Sequence, residues 1–205
     1  MRALDTYAEL RRFGRPIVTT DDVAVRTRAS TSAAARILER LSTRGLVKPL
    51  RRGLWAVDPN VDPLLVPEYL TAPLPAYISF QSALYLHRMI SQLPHVIYVA
   101  SLARTRRVRT AIGTYSIHQI APQFFGGFET SRSQLRLATP EKALLDLLYL
   151  TAAKSRLFAR LPEIELPARF SLRECRRWIA RIPASYRRTM VRRRLEALLA
   201  SADRP

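Results

Sequence analysis

Between Thr19 and Val57 the chain changes character every few residues, and the order of those changes constrains its fold more than any other stretch. Thr20-Asp21-Asp22 places a hydroxyl and two acids where a helix N-terminus is stabilised, so a short helix is expected over 23–28. The polar break Ser30-Thr31-Ser32 then caps a second helix over 33–44, and Gly45 ends it. Two apolar pieces, 46–50 and 54–57, flank the basic tip Arg51-Arg52-Gly53, the pattern of two short strands around a turn.

The second helix has two faces at helical periodicity. Ala34, Ile37, Leu38 and Leu41 cluster on one side and are expected to pack inward. Ser32, Arg36, Glu39 and Thr43 fall opposite, with Arg40 on the flank. Arg44 drifts back toward the apolar seam and reads as a C-terminal charge complementing the helix dipole. Arg36 and Arg40 either contact nucleic acid or simply solvate an exposed face, and Glu39 either accepts from a cytosine or pairs with a neighbouring arginine. Helix, tight turn, helix and basic hairpin is the order in which a winged helix-turn-helix presents its recognition helix and wing, which favours nucleic-acid contact.

Charge agrees with a polyanionic partner. The 205 residues carry a net charge of +18 with a pI near 11.3, so binding to nucleic acid or an acidic surface should weaken with salt. The excess is uneven: residues 1–57 hold 12 Lys+Arg against 5 acids, 58–150 hold 8 against 6, and 151–205 hold 14 against 5. Two basic ends thus flank a nearly neutral middle. Lys appears only at 48, 142 and 154, a bias that a GC-rich genome explains as readily as phosphate contact does. Cys175 alone excludes a disulfide framework or a cysteine-rich zinc site within one chain. The N-terminus leads into an amphipathic helix with acids, and Asp146 interrupts the best apolar run, so neither a signal core nor a membrane span is expected. A cytoplasmic protein in a reducing compartment is expected.

The expected fold class is α+β: an N-terminal winged helix-turn-helix domain (1–60), a proline-rich connector (61–75), and a mixed α/β domain (76–205) ending in a basic helical tail from about 168. A first helix is expected over 2–14, with Leu4, Tyr7, Ala8 and residues 10–13 facing the core. Prolines at 59, 63, 67, 73 and 75 mark the connector, with at most a short helical piece at 64–70. Ser79 and Ser82 read as caps of a helix carrying Ala83, Leu84, Leu86 and Met89. Strands are expected at 96–100 and 114–120, joined through the basic connection 104–109. Thr139-Pro140-Glu141 caps a core helix over 142–150, in which Glu141 is a first-turn acid. Asp146 on an apolar helix needs a partner, and Lys142, four residues earlier, supplies it. Ser171-Leu-Arg-Glu174 is a capping box ahead of the stripe Leu172, Cys175, Ile179 and Ile182. A last helix from about 185 should bury Met190, Val191, Leu195 and Leu198 and expose Arg187, Arg188, Arg192, Arg193 and Arg194.

A catalytic site is not expected. The only paired glycines are Gly126-Gly127, so neither a P-loop nor a dinucleotide fingerprint is present, and no glutamate is followed two residues later by lysine as in many metal-dependent nucleases. His87, His95 and His118 lack metal-ligand spacing and read as packed or surface histidines. No catalytic residue, metal or cofactor is therefore assigned.

The succession of segments resembles a known family. Gly53-Leu-Trp-Ala-Val57 closes the winged helix; Tyr77-Ile-Ser-Phe-Gln-Ser-Ala-Leu84, the apolar strand, Gly113-Thr-Tyr115, Phe124-Phe-Gly126 and Ala138-Thr-Pro-Glu-Lys-Ala-Leu-Leu-Asp146 follow in order. Over roughly residues 10–150 this looks like the AbiEi-type antitoxin and transcriptional regulator of bacterial type IV toxin–antitoxin systems; its most specific pieces lie at 78–84 and 141–146. The resemblance implies that the winged helix represses its own operon by binding promoter inverted repeats, and that the C-terminal domain serves to neutralise a cognate nucleotidyltransferase toxin, directly or functionally. Carried over by position, the DNA-reading residues are Arg28, Ser32, Arg36 and Arg40, with Lys48, Arg51 and Arg52 on wing phosphates. Arg104, Arg106, Arg107, Arg187, Arg188 and Arg192 are candidates for further phosphate or partner contacts. Two other readings stay open: a phosphotransferase that silences the toxin covalently, and an RNA-binding protein that shields the toxin's tRNA substrate.

Overall fold

The computed structural model describes residues 3–151 and 162–202. The segment 152–161 and the terminal residues 203–205, which the sequence reading includes in the C-terminal domain and its tail, lie outside the described residues, as does the side chain of Leu4. The chain is α+β and divides into two units: residues up to Leu70 together with Arg109–Gly113, and the remainder.

The first unit begins with α1 (Ala3–Arg12), shorter than expected, with Leu10 buried, Tyr7 half-buried and Ala8 exposed. The β-branched pair in β1 (Ile17–Thr19) forms a strand that sequence reading missed. Helix α2 (Thr20–Thr27) starts three residues earlier than expected because Thr19, not Thr20, is its cap. Thr19 Oγ1 accepts from the Asp22 N–H at 3.0 Å while Asp22 Oδ2 accepts from the Thr19 N–H at 2.7 Å, a reciprocal capping box. The connection Arg28–Ser30 leads into α3 (Thr31–Thr43), where Ser30 Oγ accepts from the Ala33 N–H at 3.2 Å. Thus Thr31 and Ser32 are already helical, not part of the cap. Strands β2 (Lys48–Arg51) and β3 (Leu54–Ala56) follow, and the sheet order is β1-β3-β2, antiparallel throughout. The turn between them requires a left-handed residue, and Gly53 supplies it at φ +77°. The Trp55 indole N–H donates to Thr20 Oγ1 at 3.0 Å in the interior, tying β3 to the start of α2. Around that bond Leu10, Val18, Val23, Leu38, Leu41 and Val47 form one apolar core.

The expected connector holds more structure than one short helical piece: a 3₁₀ turn at Pro63–Leu65 and α4 (Pro67–Thr71). Beyond it, β4 (Ala76–Ile78), α5 (Phe80–Leu86), β5 (Ile97–Ser101), β6 (Arg106–Thr110), β7 (Gly113–Gln119), β8 (Phe128–Thr130) and β9 (Arg136–Ala138) appear in turn. They build one six-stranded mixed sheet of order β6-β7-β5-β4-β9-β8. Strands β4 and β5 are antiparallel, β5 and β7 parallel in register Val99↔Ile117, and β4 and β9 parallel at Ile78↔Leu137. The basic stretch expected to be a connection is therefore largely a strand, β6, at the sheet's edge. Its arginines are exposed and only Val108 turns inward, so it lacks the apolar alternation that marks a half-buried strand.

Helix α6 (Pro140–Thr151) is buried on every side from Glu141 to Leu150. It packs against α5, α7 (Leu172–Ala180) and α8 (Ser185–Ala202). Two details differ from the sequence reading at α7. Leu172 is exposed and Trp178 takes its place in the buried stripe with Cys175 and Ile179. The capping box is only half formed: Ser171 Oγ accepts from the Glu174 N–H at 3.3 Å, but the Ser171 N–H donates to Glu141 Oε1 at 2.8 Å. Glu141 is thus more than a first-turn acid of its own helix; it holds the N-terminus of the neighbouring one. In α8, Val191 and Leu195 are buried, while Met190 and Leu198 are only half-buried.

Candidate functional site

The outward side of α3 is the first unit's most chemically equipped surface. The apolar positions Ala34, Leu38 and Leu41 are fully buried at 0% exposure, which fixes the helix's rotation about its axis. Ser32, Arg36, Glu39, Arg40 and Thr43 are consequently exposed, in the distribution that helical periodicity predicts. Thr31 donates its hydroxyl to Asp21 Oδ1 at 3.3 Å, and Ser32 Oγ shares a 3.0 Å hydrogen bond with Ser30 Oγ. The start of α3 is therefore braced by side chains of α2 and of its own cap. Arg28 closes α2 in the left-handed region at φ 49°, with its N–H donating to Val25 C=O at 3.3 Å, and its side chain is exposed. In the hairpin, Arg51 and Arg52 are exposed and Lys48 is half-buried. Six cations at 28, 36, 40, 48, 51 and 52 thus belong to one small unit, at the end of α2, on α3 and in the β2–β3 hairpin. An exposed set of guanidiniums is chemically suited to phosphate oxygens and base edges.

The remaining candidate arginines are placed differently from one another. Arg104, Arg106 and Arg107 are exposed, the last two on β6. Arg187 lies over the Tyr149 ring at 4.5 Å, and Arg188 donates to Ile182 C=O at 3.0 Å and Pro183 C=O at 3.3 Å. Both are half-buried, so a share of each side chain's bonding serves the packing of α8. Arg192 is exposed.

In the second unit the residues with the strongest chemistry are buried together. Lys142 Nζ donates to Asp146 Oδ1 in a very short contact and to the Tyr77 hydroxyl at 2.8 Å. Asp146 Oδ2 accepts from Tyr77 at 2.9 Å and from Ser79 Oγ at 2.7 Å. The ammonium also sits 3.9 Å from the centroid of the Phe124 ring. Burial pushes the Asp146 carboxyl up, opposed by the Lys142 charge, and pulls the Lys142 ammonium down, opposed by Asp146. Burial, then the Asp146 charge, pushes the Tyr77 phenol well up, so it stays a neutral relay between the two ions. The expected Lys142–Asp146 pairing is present, whereas the reading of two serines as caps is corrected. Ser79 makes no cap hydrogen bond and donates to Asp146 instead. Ser82 Oγ accepts from the Tyr98 N–H at 2.8 Å, fixing α5 against β5.

Gly126 and Gly127 close over this cluster. A Cβ on Gly127 would lie 2.8 Å from Trp178 Cζ2 and 2.9 Å from Lys142 Cγ, at φ +71°. The paired glycines therefore permit close approach of a loop to the buried lysine. Lys142, Tyr77, Ser79 and Asp146 thus satisfy one another's polar groups inside the core.

His118 on β7 shares a 2.9 Å hydrogen bond with Ser116 Oγ, and burial pulls its pKa down to about 4. At neutral pH it is an uncharged ring, edge-on to Phe80 with centroids 5.3 Å apart. Cys175 is buried and its thiol is pushed up to about 12, so it is a packing residue in its resting form. Among the described residues no group of three or more His, Cys, Asp or Glu is placed to hold a metal ion, and no helix is long and apolar enough to cross a membrane. Sequence reading missed Gln81, Tyr98 and Ser116, which line a cavity with His118. The only signal was the alternation in 114–120, which puts Ser116 and His118 on one face of a strand.

No model of a known protein family matches the sequence, and no curated protein matches it.

Proposed function

We propose that the N-terminal unit is a winged helix-turn-helix that binds inverted repeats in the promoter of its own operon, and that the chain acts as an antitoxin of the AbiEi type, without catalysis of its own. One observation carries the DNA-reading half. The three-residue connection Arg28–Ser30 joins α2 to an α3 whose polar side, Ser32, Arg36, Glu39, Arg40 and Thr43, is left uncovered, beside a β1-β3-β2 sheet that ends in an arginine turn. A helix whose exposed side existed only to be solvated would not need Arg51 and Arg52 added at the tip of a tight glycine turn. In this reading α3 enters the major groove, Arg36 and Arg40 reach base edges or flanking phosphates, and Arg51 and Arg52 hold the backbone.

Neutralisation of a nucleotidyltransferase toxin rests on the resemblance at 78–84 and 141–146. These two stretches meet in the fold through the Ser79–Asp146 hydrogen bond, which supports reading them as one structural signature of the C-terminal domain. Full-length protein should retard DNA from upstream of its own coding sequence and silence a reporter driven by it. Its co-expression should restore growth to cells producing the toxin encoded beside it. A protein that binds no upstream DNA more tightly than random DNA refutes the regulator, and unrelieved toxicity refutes the antitoxin.

A further inference from the structure

A cavity of about 570 Å³ opens within the C-terminal unit, away from the buried lysine cluster. Its walls come from α5, β5, β6 and β7 and the loop before β5, and they differ in chemistry along its depth. Tyr98 and His118 present nearly parallel rings, 17° apart with centroids at 6.1 Å, and Ser116 lies beside them. Gln81 also lines the cavity, and its buried Oε1 has no hydrogen-bond partner. The exposed guanidinium-bearing residues Arg106 and Arg107 complete the lining from β6.

Each of these features narrows the ligand. A volume of this size is typical of sites for small organic molecules, which fall at roughly 300–1,000 Å³. Consecutive strand residues face opposite ways, and Arg107 is the one whose charge reaches the Tyr98 phenol; a guanidinium beside the aromatic rings favours an anion, and phosphate fits its fork. The aromatic rings favour a flat partner over a bare inorganic ion. A buried acceptor without a partner is rare in a native fold and is accounted for when a ligand brings the missing donor.

We propose that this cavity binds a small molecule of the nucleoside monophosphate class, its phosphate on Arg107, its base against Tyr98, and a base N–H donating to Gln81. The site belongs to the C-terminal unit alone and is independent of DNA reading by α3. Calorimetric titration of the full chain with AMP, GMP, CMP and UMP, at about 150 mM salt to suppress diffuse attraction to a basic surface, tests it directly. At least one nucleotide should bind with one-to-one stoichiometry, about tenfold or more tighter than the matching nucleoside or inorganic phosphate. Arg107→Ala should weaken that nucleotide about tenfold. Gln81→Met should weaken it several-fold while the thermal midpoint of the empty protein is unchanged or raised, because a buried acceptor without a donor has been removed. Binding of upstream DNA should be unaffected by Gln81→Met, which separates failure of this site from failure of the regulator. The proposal is overturned if none of the four nucleotides saturates, if inorganic phosphate binds equally well, or if both variants bind as tightly as the parent.

Discussion

Removing the Lys142 charge while leaving Asp146 in place exposes the energetics of the C-terminal core. Both side chains are at 0% exposure, so Lys142→Met leaves a carboxylate with two hydroxyl donors, Tyr77 and Ser79, and no counter-ion. The variant has two ways to respond: tolerate the buried charge, or protonate it. Protonation sets the ceiling, since holding a carboxyl neutral costs about 1.4 kcal/mol for each pH unit above its ordinary value near 3.9. At pH 7 that ceiling is about 4 kcal/mol, within the range of about 3–5 kcal/mol typical of broken buried pairs. At pH 5 it falls to about 1.5 kcal/mol. Asp146→Leu has the opposite dependence, because the stranded ammonium is relieved by losing its proton. Its ceiling is about 4.6 kcal/mol at pH 7 and about 2 kcal/mol at pH 9. The double variant strands neither ion, only the Tyr77 and Ser79 hydroxyls, and should cost less than the two single changes summed. Urea denaturation at pH 5, 7 and 9 reads all three. A Lys142→Met cost below about 1 kcal/mol at pH 7, or one that does not shrink at pH 5, would refute the account of a mutually dependent pair.

Gly127→Ala should destabilise by about 2–4 kcal/mol, since the new methyl meets Trp178 Cζ2 at 2.8 Å in a left-handed backbone; a melting point within a degree of the parent contradicts this. His118 should contribute to acid sensitivity. Its folded pKa, near 4, lies below the unfolded value near 6.5, so its contribution is complete above pH 6.5 and is lost as pH falls toward 4. Comparing the parent with His118→Gln isolates this term, on the order of 2–3 kcal/mol, from general carboxylate titration, and equal losses in both proteins between pH 7 and 4.5 would exclude it.

Much of the N-terminal unit was legible because its signals are local. A hydroxyl before α2 and α3, glycines at 45 and 53, and apolar spacing at 34, 38 and 41 each act within one or two turns of chain. Even there, the choice between Thr19 and Thr20 as cap turned on spacing: Asp22 stands three residues after Thr19, where a capping box needs it, whereas Val23 holds that place after Thr20. The Lys142–Asp146 pairing was legible for the same reason, as neighbours one helical turn apart. By contrast, Ser79 resembles a cap locally, and only Asp146, 67 residues away, draws its hydroxyl elsewhere. Strands β1, β8 and β9 have three residues each, too few for alternation to register. Strand β6 hid behind its arginines. On the site, the outward side of α3 followed from periodicity, while the cavity joining Gln81, Tyr98, Ser116 and His118 depends on strand order, which no local pattern records.

The central claim is that α3 reads bases and the hairpin tip holds the backbone, and the salt dependence of full-length protein binding to its upstream inverted repeat tests it most directly. Fluorescence anisotropy should show Arg51→Ala weakening repeat and scrambled DNA alike and lowering the salt slope by about 0.9 for each phosphate no longer neutralised. Arg36→Ala should instead cost about 1–3 kcal/mol on the repeat alone, erasing the preference over scrambled sequence. If both variants bind both DNAs as the parent does, with an unchanged slope, the DNA-reading surface lies elsewhere and the account is wrong.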